Sequence, residues 1–98
     1  MKISLHPAVD TDLLEIMEYY EKAAGAELAA EFYLEFRRYA DEIAARPTSF
    51  PIYDNPLRRT NLDRFPHHIL YEILDDNTIF ILVVKHDRRD PSYGLERR

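Results

Sequence analysis

Near its C-terminus the chain places an ammonium, an imidazole, a guanidinium and a phenol close together, at Lys85, His86, Arg88 and Tyr93. Side chains of these types can hold a phosphate, neutralise charge that builds on it and move protons to and from its oxygens. Cutting RNA without a metal needs those services: a base for the 2′-hydroxyl, cations for the phosphorane and an acid for the leaving oxygen. Arg64, or one of Arg58 and Arg59, can join from an adjacent strand. Arg58 and Arg59 cannot both do so, because adjacent strand residues point to opposite faces. The plainer expectation is that Arg88 and Arg89 pair with Asp87, Asp90 or acids on the helices, as clustered surface charges commonly do.

Other chemistries find little support. There is no Cys, so no disulfide framework, thiolate metal site or cysteine nucleophile is available. His67 and His68 are neighbours facing opposite ways on a strand, and no His pair has helical metal-ligand spacing, so no metal is expected. Ser4, Ser49 and Ser92 lack the setting of a nucleophile elbow. With only two Gly there is no phosphate-cradling loop, and no cofactor is expected. Glu15, Glu18 and Glu21 read as a solvated acidic face. Tyr19, Tyr20, Tyr33, Phe36 and Tyr39 read as core at helical spacing rather than as a platform for bases, and any exposed ones among them as the lining of a groove that receives a partner segment.

These residues must be held by a single domain spanning residues 1–98, a length that supports one core. The composition supplies that core, with 46% hydrophobic residues, seven Tyr and five Phe. The longest purely apolar run, Ile79 to Val84, suits a buried strand and is far too short for a membrane span. The N-terminus has no apolar segment of signal-peptide type, so a cytoplasmic protein without membrane contact is expected. The net charge of −5 argues against a chain that coats a nucleic-acid backbone. Residues 1–50 carry ten acids against five bases, whereas residues 51–98 carry eight of each, so the basic groups cluster in the second half.

Residues 2–6 alternate apolar and polar and predict a short strand. Pro7, Asp10 and Asp12 mark a helix start, and Val9, Leu13, Ile16, Met17 and Tyr20 give it one apolar stripe. Gly25 marks a tight corner before a second helix over about residues 26–45, with Leu28, Ala29, Phe32, Phe36, Tyr39, Ala40 and Ile43 inward. Residues 47–56 carry three Pro and predict an ordered irregular loop pinned by Phe50, Ile52 and Tyr53. Strands are expected at 57–64, 67–74 and 78–85, the last in the sheet interior. The expectation is an α+β fold of order β–α–α–β–β–β, closing in a three-stranded antiparallel meander.

Arg58-Arg59, followed by Leu62-Asp63-Arg64-Phe65-Pro66-His67-His68-Ile69-Leu70-Tyr71, resembles the middle strands of RelE/ParE-type toxins of type II toxin–antitoxin pairs. The final strand running into Lys85-His86-Asp87-Arg88-Arg89-Asp90-Pro91-Ser92-Tyr93 is similar to the same family, as are Asp12-Leu13 and Tyr19-Tyr20 on the first helix. The resemblance runs in order over nearly the whole chain. It implies a helical hairpin on a twisted, mainly antiparallel sheet, and a cognate antitoxin that wraps the toxin in a hetero-oligomer. The family divides by target: ParE-like members act against DNA gyrase, and RelE-like members cleave messenger RNA on the ribosome. A RelE-like ribonuclease would use Lys85, His86, Arg88 and Tyr93; target-binding candidates are Arg58, Arg59, Arg64, Arg88, Arg89 and Tyr93. The acidic balance favours the ParE-like, non-enzymatic reading. A third reading keeps antitoxin binding without toxicity. The family often has Trp after the final Tyr, where this chain has Gly94.

Overall fold

The stripe Val9, Leu13, Ile16, Met17 and Tyr20 lines the inner side of helix α1, Val9–Ala24, in the computed structural model, which describes residues 1–98. Gly25, at φ 103°, is the only residue between α1 and helix α2, Ala26–Ala45, and its positive φ disfavours any side chain there. Helix α2 turns Phe32, Phe36, Ala40 and Ile43 inward. It stops at Arg46, whose helical conformation is disfavoured by the following Pro47.

Both helices lie on one face of a five-stranded sheet. The strands are β1 (Lys2–Leu5), β2 (Ile52–Asp54), β3 (Leu57–Asn61), β4 (His67–Asp75) and β5 (Thr78–His86), in spatial order β1-β5-β4-β3-β2. All neighbours are antiparallel except β1, which runs parallel to β5. Strand β5 thus lies in the interior, as its unbroken apolar run requires.

The expected meander gains one strand. Ile52–Asp54, read from its prolines as loop, adds a short edge strand to β3, where flanking Pro residues break no interior ladder. Phe50 packs on the core with its ring 6.4 Å from that of Tyr71, but Ile52 and Tyr53 stay exposed and pin nothing. The strand expected to reach Arg64 stops at Asn61. Beyond it, the buried Glu35 carboxylate accepts the amides of Asp63 and Arg64 at 3.0 and 2.9 Å and shapes the turn into β4.

A bulge in β5 decides which way its last residues point. Leu70 opposes Val83 whereas Tyr71 opposes Ile81, so Leu82 is extra on β5. Ile79, Ile81 and Val84 accordingly join the helix-side core, while Leu82 and Val83 join Leu57 and Leu70 on the far face. The far face is covered by the C-terminal tail, through Tyr93 and Leu95 ahead of a 3₁₀ turn at Leu95–Arg97.

Gly94 makes that cover possible. Its φ is 86°, and a Cβ there would lie 2.7 Å from Val83 Cγ2 and 2.8 Å from Val83 Cβ. Gly94→Ala should therefore cost about 1–3 kcal/mol in urea denaturation, through left-handed strain and overpacking together. An unchanged midpoint would mean that the tail lifts off Val83 freely.

Candidate functional groove

Strand β1 ends before β5 does: Leu5 opposite Ile81 is its last pair. From there the edge of β5 needs other partners for its backbone, since unpaired buried amides and carbonyls are costly. Asp12 of α1 and Arg97 of the tail supply them. Val84 N–H donates to Asp12 Oδ2 at 3.1 Å, and Arg97 donates to Leu82 C=O at 3.2 Å. The two side chains then close on each other in a bidentate pair, at 2.7 and 2.9 Å, with Asp12 only 3% exposed. Tyr93 Oη donates to Asp12 Oδ1 at 3.3 Å. The hydrogen bond from Arg97 to Asp12 raises the guanidinium above its usual range.

Beside this junction, at the open end of the sheet, lies a groove of about 430 Å³. Helix α1 forms one wall with Glu15, Ile16, Tyr19 and Tyr20. The other wall is His67 at the start of β4, Val84 and His86 at the end of β5, and Arg89 and Tyr93 beyond it. The Arg89 guanidinium sits 3.8 Å from the Tyr93 ring centroid, a stacked cation–π contact. The His67 ring is wedged among Tyr20, Phe32 and His86, at centroid distances of 6.0, 5.1 and 5.1 Å. Its buried Nδ1 has no partner. Burial, aided by the nearby His86, pushes His67 down to about 4.

Of the residues singled out for chemistry, the structure brings Lys85, His86, Arg89 and Tyr93 to the lining of this groove, whereas Arg58, Arg59, Arg64 and Arg88 lie outside it. Lys85 and His86 point to opposite faces of the sheet. The buried Lys85 Nζ donates to the carbonyls of Tyr93, Pro91 and Asp90 at 2.9, 3.0 and 3.4 Å, which ties the tail down. Burial also lowers the Lys85 ammonium. His86 Nδ1 accepts the Arg88 amide at 3.0 Å, and the Tyr93 hydroxyl is engaged by Asp12 and Arg97.

The arginines separate likewise. Arg58 donates to the carbonyl of Phe50 at 2.7 Å, on the side opposite Arg59. Arg59 reaches Asn61 at 2.8 Å and Asp87 at 3.5 Å, and Arg64 reaches Glu31 on α2 at 3.3 Å. The ion pairs expected for Arg88 and Arg89 do not form. Asp87 is taken by His68, at 2.8 Å, and Arg59; Asp90 caps Ser92; Arg89 stacks on Tyr93; the Arg88 guanidinium has no protein partner. Sequence reasoning missed the Asp12–Arg97 pair, for which no local pattern exists. The groove was anticipated in outline, from exposed members of the Tyr19, Tyr20, Tyr33, Phe36 and Tyr39 set; of these, Tyr19 and Tyr20 line it and Tyr19 is exposed.

The family model described as "ParE toxin of type II toxin-antitoxin system, parDE" matches residues 3–91. Among solved structures, the chain is similar to one titled "Chromosomal ParDE TA system from P. aeruginosa", with a TM-score of 0.76 and 19% identity. That match covers 88% of this chain and 95% of the other, and it establishes a shared fold. No curated protein matches the sequence.

Proposed function

We propose a function from one premise: the chain belongs to the ParE toxin family of type II toxin–antitoxin systems. It inhibits bacterial growth by binding a macromolecular target, with DNA gyrase favoured, and a cognate antitoxin holds it inactive in a hetero-oligomer. It acts in the cytoplasm, where both partners are found. No helix is long and apolar enough to cross a membrane.

One observation favours inhibition by contact over cleavage of messenger RNA. The ammonium best suited to a phosphorane is locked onto three tail carbonyls, and the phenol beside it is bound into the Asp12–Arg97 pair. A general acid or base must reach the proton it transfers, and these groups are occupied in holding the fold.

The test is purified toxin in a gyrase supercoiling reaction free of RNA, alongside induced expression with protein and DNA synthesis followed separately. The expected result is blocked supercoiling, and filamentous cells in which translation continues. An early halt in translation with broken messenger would replace this reading with the RelE-like ribonuclease. Normal growth with intact antitoxin binding would leave an antitoxin-binding chain without toxicity.

A further inference from the structure

Two leucines stand in water on the side of the helical hairpin turned away from the sheet: Leu14 of α1 is 65% exposed and Leu34 of α2 is 66% exposed. At about 100° per residue, Leu34 lies roughly 160° round α2 from the buried Phe36 and points away from the core. Leu14 lies on the opposite flank of α1 from Asp12, Ile16 and Tyr19, which line the groove. The two surfaces are therefore separate. The charges round the two leucines differ in sign. Asp10, Glu18 and Glu21 lie one or two turns from Leu14, and Lys22 answers only Glu18, at 3.5 Å. Arg37 and Arg38 lie one turn from Leu34. Arg37 donates to Tyr33 Oη at 3.4 Å, and Arg38 comes no closer than 4.0 Å to Glu35. Glu31, on the other turn beside Leu34, is paired with Arg64. Glu27 and Asp41 stand two turns away, so the centre of the α2 side is basic where the α1 side is acidic.

We propose that two copies of the chain pair through this face, hairpin on hairpin. A two-fold axis sets α1 of each copy across α2 of the other. Leu14 then meets Leu34 of the partner subunit, and the acids round the one meet the arginines round the other, twice over. A face that is acidic on one helix and basic on the next is its own complement under such an axis. A partner with one sign of charge throughout would be attracted by one helix and repelled by the other. The helices give the face a size of about 25 by 20 Å. Pairing accordingly covers about 1,000 Å² over both copies, the lower end of what a specific contact requires. The pair is therefore a concentration-dependent one. It leaves the groove flank of α1 free, so a pair presents two open grooves.

The test is sedimentation velocity of the purified full chain from about 1 to 200 μM. The parent is expected to shift from monomer to dimer as concentration rises. Leu34→Glu should weaken pairing at least about tenfold. Two charge reversals probe the complementarity: Asp10→Lys with Glu21→Lys, and Arg37→Glu with Arg38→Glu. Each reversed protein alone sets like charges against each other and should stay monomeric. Mixed in equal amounts they should pair again, because every α1 then faces an α2 of opposite sign. Circular dichroism checks that each variant is folded, and a variant that had merely lost its fold would gain nothing from the mixing. A parent that stays monomeric throughout overturns the proposal, and one that grows heavier only when a different protein is added gives the face to that protein. A dimer that survives all three variants, or reversed proteins that ignore each other, also overturns it.

Discussion

Replacing Arg97 with Ala is expected to destabilise the chain by about 3–5 kcal/mol, the cost of stranding one member of a buried ion pair. Asp12 would keep the Val84 amide and the Tyr93 hydroxyl but lose both short bonds from the guanidinium. The Leu82 carbonyl would lose its donor as well. A domain of ordinary stability has about 5–15 kcal/mol in total, so the variant should lie near the edge of folding. Arg97→Lys should recover only part of the loss, since an ammonium cannot make the paired contact to both carboxylate oxygens. The double variant Asp12→Ala with Arg97→Ala should cost less than the sum of the singles. It should still fall short of the parent, because the β5 edge groups have lost their partners. Urea denaturation of the parent and of the four variants, the single Asp12→Ala among them, decides the matter. A cost below about 1 kcal/mol for Arg97→Ala would place the pair with ordinary surface salt bridges.

Acid should weaken the fold in a defined window. The folded chain holds His67 near 4, against 6.5 for the free side chain. The unfolded chain therefore takes up the proton first as pH falls. The stability associated with a neutral His67 is complete above about 6.5 and is lost as pH drops toward 4, by up to about 3 kcal/mol. The groups facing the ring agree with this direction. Tyr20 of α1 and Phe32 of α2 offer aromatic surface, His86 of β5 and His68 of β4 oppose a charge, and only Asp87 favours one. His68 is lowered too, chiefly by burial and against the pull of Asp87, so it adds in the same sense. Urea midpoints measured from pH 7.5 to 4.5 should fall, and His67→Phe should flatten much of the slope by leaving an aromatic ring that does not titrate. A midpoint that stays level over that range would contradict the buried, neutral state of His67.

Local periodicity was enough to find the helices, because burial follows the helical repeat: Val9, Leu13, Phe32, Phe36 and Ile43 were all read as inward and all are buried. Strand β5 was legible as an interior strand for a similar reason. Its facing was not. An unbroken apolar run carries no alternation to reveal a bulge, and the bulge at Leu82 sends Lys85 to the tail side and His86 to the groove. Asp12 was read as a dipole-complementing acid in a first helical turn. The structure gives it a guanidinium 85 residues away, a contact that no window along the chain can contain. Lys85 and Tyr93 drew attention as reactive types, yet side-chain type says nothing about whether three carbonyls already surround an ammonium. The RelE/ParE resemblance supplied the family, which residue chemistry alone did not.

The parallel pairing of β1 with β5 has a consequence for manufacture. Lys2 must wait for Thr78 before the sheet can close on that side, and Asp12 must wait for Arg97 before its charge is neutralised. A nascent chain emerges in order, so residues such as Lys2 and Asp12 depend on partners made much later. Contacts of such long sequence separation form late. Interrupted synthesis therefore releases fragments with no completed groove, since Arg89, Tyr93 and the latch at Arg97 are missing together. Only a molecule translated through Arg97 carries the assembled surface, so the groove is completed late in the chain's synthesis.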